Sequence, residues 1–438
     1  MHKVLIISYY FPPFGMGGVQ RTTKFVKYLP KYDWKCYVLT TTPKTFYAKD
    51  DSLLAELDRN NVQILRTKIR SAKNLLNYAK VTPLPKEKFR KFLSKAAQVF
   101  LLPDSKILWK KKALKLAKEI IEKEKIDLIY STAPPYTDFL VGLELKNKYN
   151  IPLVIDYRDS WIDCPYNFYL TPVHKSLNIK LEREVLKHCD NIITINRRIK
   201  ELIVERYPNV KYNDVTILPQ GYDEEDFIKA NHNLPRTNRM RITYSGSFLN
   251  FMTPKYMLEA LKMIFEKFPE LKREIELCLV GVLSKENMNM IAKSGFRDNV
   301  TTTGYIDHLV SIKYLIASDI LWLMIGKNKG SEMISTGKLF EYFGARKPIL
   351  ATIPDGVAKN VLKNYGAYKV CEPDNPKEIA KLILEFYKLY KSKELPVPDE
   401  EFVQHYSRES LTQQLVRMFE FLINIETQFE TKGIIYNE

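Results

Sequence analysis

The sequence predicts an α/β protein of two doubly wound parallel-sheet (Rossmann-like) domains that face a cleft. Three observations predict it. Short strand-like runs recur along the chain, and most are continuously apolar rather than alternating, as in parallel strands covered on both faces. Helical patterns separate them, so the chain reads strand–helix–strand from end to end. At 438 residues it is too long for one compact core, so two domains are expected.

The strand-like runs of the first half are Lys3–Tyr10, Lys35–Thr42, Val62–Thr67, Asp127–Ser131, Leu153–Tyr157, Asn191–Asn196 and Val215–Leu218. Those of the second half are Arg241–Gly246, Glu274–Gly281, Val300–Thr303, Asp319–Ile325, Pro348–Thr352 and Tyr368–Cys371. A polar stretch, Lys229–Met240, separates the series and reads as a linker. The predicted domains are therefore 1–235 and 236–400. A second break, "KSKELPVPDEE", precedes an amphipathic helix running from Arg408 to about Ile425.

Composition narrows the function classes. No apolar run reaches the roughly 18 residues that span a bilayer, and Met1-His2-Lys3 lacks the flanks of a signal peptide. The five cysteines are far apart, with no CxxC, which suits reduced thiols in a cytosolic chain. The six histidines are equally scattered, so no metal site is expected. The net charge of +17 is concentrated: segment 66–125 holds 18 Lys/Arg against 5 Asp/Glu. Phe, Leu and Trp interleave with those basic residues. One reading is two solvated helices with ordinary core faces. The other is a surface for anionic lipid, where each cation is worth about 1 kcal/mol. Nucleic acid ranks below the membrane, because no recognisable nucleic-acid module is present.

Three motifs carry chemistry. In "ISYYFPPFGMGGVQRTTKFVKYL" a strand ends in two prolines and a glycine cluster opens a helix. Glycine lets a ligand approach the backbone, and a helix start offers unpaired N–H groups to an anion. It is not a dinucleotide fingerprint, since Gln20 occupies the third glycine position after Gly15 and Gly17. In "LVIDYRDSW", Asp156, Arg158 and Asp159 emerge at the carboxyl end of a strand. They read either as a helix-capping pair or as groups that orient an acceptor hydroxyl or a phosphate. In "STGKLFEYFGARKPILA", Thr336-Gly337 opens a helix with Lys338 in its first turn and Glu341 one turn on. Leu339 excludes a Walker loop. A helix start with a lysine can hold a diphosphate, and the carboxylate can take two ribose hydroxyls. The ordinary alternative is a surface Lys–Glu pair.

The order of these motifs resembles the family-4 retaining glycosyltransferases of the GT-B fold, of the bacterial cell-surface polysaccharide type. "STAPPYTDFLVGL", "VTILPQGYDEEDF", "ITYSGSF" and "FVQHYSRESLTQQL" fit the same order, so the resemblance covers nearly the whole chain. It implies an acceptor-side first domain, a nucleotide-sugar-binding second domain, and a tail helix, 402–426, crossing back to the first. It implies that Gly17 and Gly18 approach the donor diphosphate or the acceptor, and that Asp159 faces the acceptor. Gly246 and Ser247 would lie by the diphosphate with Thr336, Gly337 and Lys338, and Glu341 would grip the ribose. Gly304, Tyr305 and Ile306 would line the base pocket. The resemblance further implies transfer with retention, no cofactor and no metal, a lipid-linked or polysaccharide acceptor, and a place on the inner face of the plasma membrane. The chain departs from the pattern at four points, one being that "STAPPYT" carries no histidine where some relatives place one. Met333 stands eight before Glu341, where the family has a first glutamate, leaving Glu332 one residue off register as a possible sugar contact. The Arg…Lys-Gly element after Gly246 is missing and only Lys255 remains there, with Lys338 and Lys327 available to compensate. Gln220 replaces a common hinge asparagine.

Overall fold

The computed structural model describes residues 1–431 apart from 16, 43–49, 68–100, 166, 168, 236 and 249–250. The chain divides into two compact units, one of residues 1–219 and 409–438, the other of Gln220–Arg408.

The first unit holds a seven-stranded parallel sheet: β1 (His2–Ile7), β2 (Trp34–Thr41), β3 (Val62–Thr67), β4 (Leu128–Ala133), β5 (Leu153–Tyr157), β6 (Asn191–Thr194) and β7 (Val215–Ile217). Their order is β3-β2-β1-β4-β5-β6-β7. Strand periodicity sends Leu5, Ile7, Ile129, Leu153 and Ile155 into one core with Phe139, Val141 and Leu145 of the helix Thr137–Tyr149. The alternate residues Val4, Ile6, Leu128, Tyr130 and Val154 enter a second core on the other face. There they meet Phe25 and Val26 of the helix Gly17–Tyr28 and Leu411, Leu415 and Phe419 of the helix Arg408–Thr431.

The second unit repeats the plan with β8 (Met240–Ser245), β9 (Ile275–Val280), β10 (Val300–Gly304), β11 (Ile320–Met324), β12 (Ile349–Thr352) and β13 (Tyr368–Cys371). Their order is β10-β9-β8-β11-β12-β13. In both sheets the order reverses beside the first strand, between β1 and β4 and between β8 and β11. Such a switch point opens a crevice at the strands' carboxyl ends.

The unit boundary differs from the linker that composition predicts. It falls at Pro219–Gln220 rather than near residue 235, because Tyr222, Phe227 and Ala230 are anchored in the second unit's core. The return crossing also comes later than residue 400. Val403 belongs to that same core, and Tyr222 and Ser407 form a short parallel bridge, so the chain leaves only at Glu409.

Of the basic segment 66–125, residues 68–100 lie outside the described residues. Its later part forms an ordinary amphipathic helix, Lys110–Glu124, burying Ala113, Leu114, Ala117, Ile120 and Ile121. Trp109 is also in the core, its indole N–H donating to Thr67 Oγ1 at 3.0 Å, so it is not available to a lipid surface. No described helix is long and apolar enough to cross a membrane.

Phe419 lies edge-on to Trp34 at 5.2 Å and 5.9 Å from Tyr130. Phe419→Ala should therefore cost the first unit ~3–5 kcal/mol in a chemical-denaturation curve. An unchanged curve would mean that the terminal helix is not part of that core.

Candidate functional site

At the first sheet's carboxyl edge, the three polar residues after β5 separate into different roles. Asp156 is fully buried, and its carboxylate takes both Nε (2.7 Å) and Nη2 (2.9 Å) of Arg21. Tyr130 and Thr132 hydroxyls also donate to it. Arg21 also donates to the carbonyls of Leu218 (2.9 Å) and Pro219 (2.7 Å). Arg158 is also consumed, its guanidinium donating to the carbonyls of Gly18, Ala133 and Pro134. Neither is free for an acceptor or a phosphate, which corrects the functional reading of that pair. Asp159 is the one left. It is half-buried, and burial pushes its carboxyl up to about 6, with Arg158 opposing. Arg158 also fixes the glycine turn, because it holds the carbonyl of Gly18. Gly17 begins the helix, as the opening motif predicts.

The second sheet's carboxyl edge gathers the residues predicted to hold a diphosphate. Gly246 leaves β8 with φ +127°, and a Cβ there would lie 2.1 Å from Lys338 Cε and 2.9 Å from Nζ. The positive φ favours glycine, and any side chain there would displace the Lys338 ammonium. Gly281, at the end of β9, is equally constrained: φ is +135° and a Cβ would sit 2.6 Å from the Gly246 carbonyl oxygen. Gly304 bridges to Gly281, which brings Tyr305 and Ile306, both half-buried, to the same edge.

Lys338 Nζ stands 5.3 Å from the centroid of the Tyr244 ring. Among the described residues it forms no ion pair, and Glu341 has no hydrogen-bond or ion-pair partner. The surface Lys–Glu pair is therefore absent. Among the described residues, Ser335 Oγ and Thr336 Oγ1 are buried without a hydrogen-bond partner at the start of the helix Gly337–Ala345. A helix start with two unpaired hydroxyls and an uncompensated lysine suits an anion. Ser247 follows Gly246, and its carbonyl accepts from Tyr244 Oη at 3.4 Å.

The compensating residues are placed otherwise. Met333 is buried and Glu332 is exposed. Lys327 lies 3.5 Å from Glu372 and 3.9 Å from Asp374, and Lys255 lies 3.8 Å from Glu259. Lys338 is thus the lysine brought to Gly246.

Two positioning groups escape the sequence motifs. Tyr342 Oη accepts the Ser245 N–H at 3.0 Å and donates to the Trp322 carbonyl at 3.1 Å, clipping the helix to β8 and β11. Its place one residue after Glu341 gives no hint of this, since an aromatic at that spacing reads as ordinary core. Gly281 could have been found, because "LVG" repeats the strand-then-glycine signal of "YSG".

A model of Glycosyltransferase Family 4 matches residues 16–226, and a model of Glycosyl transferases group 1 matches residues 225–396. Sucrose-phosphate synthase of Thermosynechococcus elongatus is similar in structure, with a TM-score of 0.66 and 15% identity over 97% of this chain and 100% of that one. A glycosyltransferase of Rickettsia africae gives 0.63 and 16% over 96% and 98%. A putative UDP-N-acetylglucosamine 2-epimerase of Listeria monocytogenes gives 0.59 and 14% over 98% and 97%. At these identities the likeness is one of fold. No curated protein sequence matches the chain.

Because burial raises the Asp159 carboxyl, the folded state binds its proton more tightly than the unfolded chain does. Stability from this residue is therefore lost as pH rises from about 4 through about 6. Asp159→Asn should stabilise the protein at pH 7.5 by ~1–2 kcal/mol after solvent screening, and have no such effect at pH 4. Thermal melts at the two pH values check this, and equal shifts at both would refute it.

Proposed function

The chain belongs to the family-4-like glycosyltransferases of the GT-B fold, and from that premise we propose that it moves a sugar, with retention, from a nucleotide-sugar donor to a lipid-linked or polysaccharide acceptor. The observation that carries this reading is the unpartnered set at the second sheet's edge. Lys338 lies against Gly246, and the Ser335 and Thr336 hydroxyls lack partners at the same helix start.

As the bond from the sugar to the diphosphate breaks, negative charge grows on the leaving phosphate oxygen. Helix N–H groups, the two hydroxyls and the Lys338 ammonium stabilise that charge, with no metal needed at the diphosphate. Glu341 takes the ribose hydroxyls, while Gly304, Tyr305 and Ile306 wall the base. The acceptor hydroxyl attacks from the face that the diphosphate leaves, and its proton passes to the departing oxygen. Asp159 orients that hydroxyl, and Gly17 and Gly18 keep the backbone bare beside it. Glu332 stays a candidate for the sugar's outer hydroxyls. Such an acceptor belongs to cell-surface glycan synthesis at the cytoplasmic membrane face, where the basic side chains of segment 66–125, without the buried Trp109, would meet anionic lipid, with no role for nucleic acid.

The Listeria neighbour supports a second reading, a nucleotide-sugar epimerase. An epimerase hands no sugar to an acceptor, so the products distinguish the two. A weakly catalytic binding subunit would follow only if Glu341→Gln left every activity unchanged.

Thermal shifts with UDP, GDP, ADP and their sugars should single out one nucleotide. A ligand at 100 times its Kd adds about 2.7 kcal/mol of apparent stability. Lys338→Met should remove most of that shift without lowering the unliganded Tm; a shift that survives the substitution would move the diphosphate elsewhere. Among the described residues, a Cβ at Gly18 would meet only Arg158 Nη1, at an ordinary 3.8 Å. Gly18→Ala should therefore fold normally and lose about tenfold or more in kcat/KM, since misplacement at a reacting centre is costly. Full activity would show that no ligand comes close there.

A further inference from the structure

Lys106 belongs to none of the motifs above, yet it stands at the first sheet's switch point. Tyr9 and Tyr10 follow β1 there, and Pro134 to Thr137 follow β4. The loop bearing Lys106 is pinned by Asp104. Asp104 Oδ2 accepts the Thr137 N–H at 3.0 Å, and Oδ1 accepts the Thr137 hydroxyl at 2.9 Å and the Lys106 N–H at 2.8 Å. Lys106 Nζ is thereby held over the rings of Tyr9 (5.4 Å) and Tyr10 (6.0 Å).

Those rings are themselves fixed. Tyr9 lies edge-on to Trp109 at 5.2 Å and to Tyr10 at 4.9 Å, and its N–H donates to Asp138 Oδ2 at 2.8 Å. Asp138 is fully buried, and among the described residues its Oδ1 has no hydrogen-bond partner; burial raises its carboxyl's pKa, which favours the neutral acid, a donor an anion can use.

Among the described residues, no carboxylate reaches ion-pair distance of Lys106 Nζ. The nearby Asp104 carboxylate is already occupied by three donors. Partial burial lowers the ammonium's pKa, with Asp104 opposing. Aromatic faces attract a cation without neutralising it. A half-buried ammonium with no ion pair among the described residues, in the crevice where open α/β sheets bind ligands, suits an anion. Its compact charge suits a phosphate, and the tyrosines beside it offer an apolar wall.

We infer that Lys106, framed by Tyr9 and Tyr10, is a second phosphate subsite, separate from Lys338, and that it takes a phosphate carried by the acceptor. This rests on the glycosyl-transfer reading for the acceptor, but not for the binding of phosphate itself.

The test is calorimetric titration of the full chain at about 0.15 M salt, where surface charges are screened. Whichever of UDP, GDP and ADP gives a thermal shift is held at saturation to fill the Lys338 site. Inorganic diphosphate and farnesyl diphosphate are then titrated in turn. A further binding event should appear, weakened about tenfold or more by Lys106→Met and restored by Lys106→Arg. Equal binding of the two titrants supports recognition of phosphate alone, and preference for farnesyl diphosphate supports a lipid-borne phosphate. No further event, or one indifferent to Lys106→Met, overturns the inference. Methionine keeps the stem over the tyrosines, and an unchanged Tm verifies folding. If no nucleotide binds, the transfer reading fails separately, and the diphosphate titrations still decide the role of Lys106.

Discussion

The first unit is organised around one buried ion pair, Arg21 with Asp156. Both side chains are wholly excluded from solvent and meet fork to fork. A buried pair is costly to desolvate and tolerable only when every remaining lone pair and proton is also satisfied. Here most are: Tyr130 and Thr132 add donors to the carboxylate, and two main-chain carbonyls beyond β7 take two of the three guanidinium protons that Asp156 leaves. One contact therefore ties the helix after the glycine turn to β4, β5 and the chain's exit from the unit. The glycine turn cannot drift from the switch point while that network holds.

The two carboxyl edges spend their polar groups in opposite ways. In the first unit most of the conspicuous charges are consumed internally, Arg158 on three carbonyls and Asp156 on Arg21. In the second, Tyr342 does the fastening, and the charged side chains of the same helix are left without partners. Groups that the protein satisfies by itself are architecture. Groups held rigidly yet left unsatisfied are where an external ligand gains most, because no internal bond must be broken first.

The thirteen described strands were legible because most are buried on two faces and so continuously apolar, a pattern that needs no partner information; the edge strands β3 and β10, with polar residues inside them, follow from their place in the strand–helix alternation. The candidate site was legible only in part. "DYRD" offers two aspartates that composition cannot rank, yet strand parity does. Val154 and Asp156 share the face covered by the helix Gly17–Tyr28, while Leu153, Ile155 and Tyr157 share the other. An aspartate on a covered face needs a buried cation, and Arg21, 135 residues away, carries no local sign of being it. The domain boundary failed for a related reason. Lys229–Met240 is polar as linkers are, but Tyr222 and Phe227 before it are core residues of the second unit, and a core contact is invisible to local composition. In segment 66–125 alternating charge and apolarity fits a solvated amphipathic helix as well as a lipid surface, and only the burial of Trp109 separates the two for the described portion.

Gly344 has a mechanical consequence. It lies on the helix of Lys338 and Glu341, and a methyl group there would collide with the rings of Phe227 and Tyr222 at 2.4 and 2.6 Å. At the same helix's end, Arg346 grips Glu400 through two bonds and Glu224 through a third. The stretches just inside both chain crossings are thus welded to the segment proposed to carry the nucleotide. Any displacement of that helix must therefore repack Phe227 and Tyr222 or break the Arg346 ion pairs.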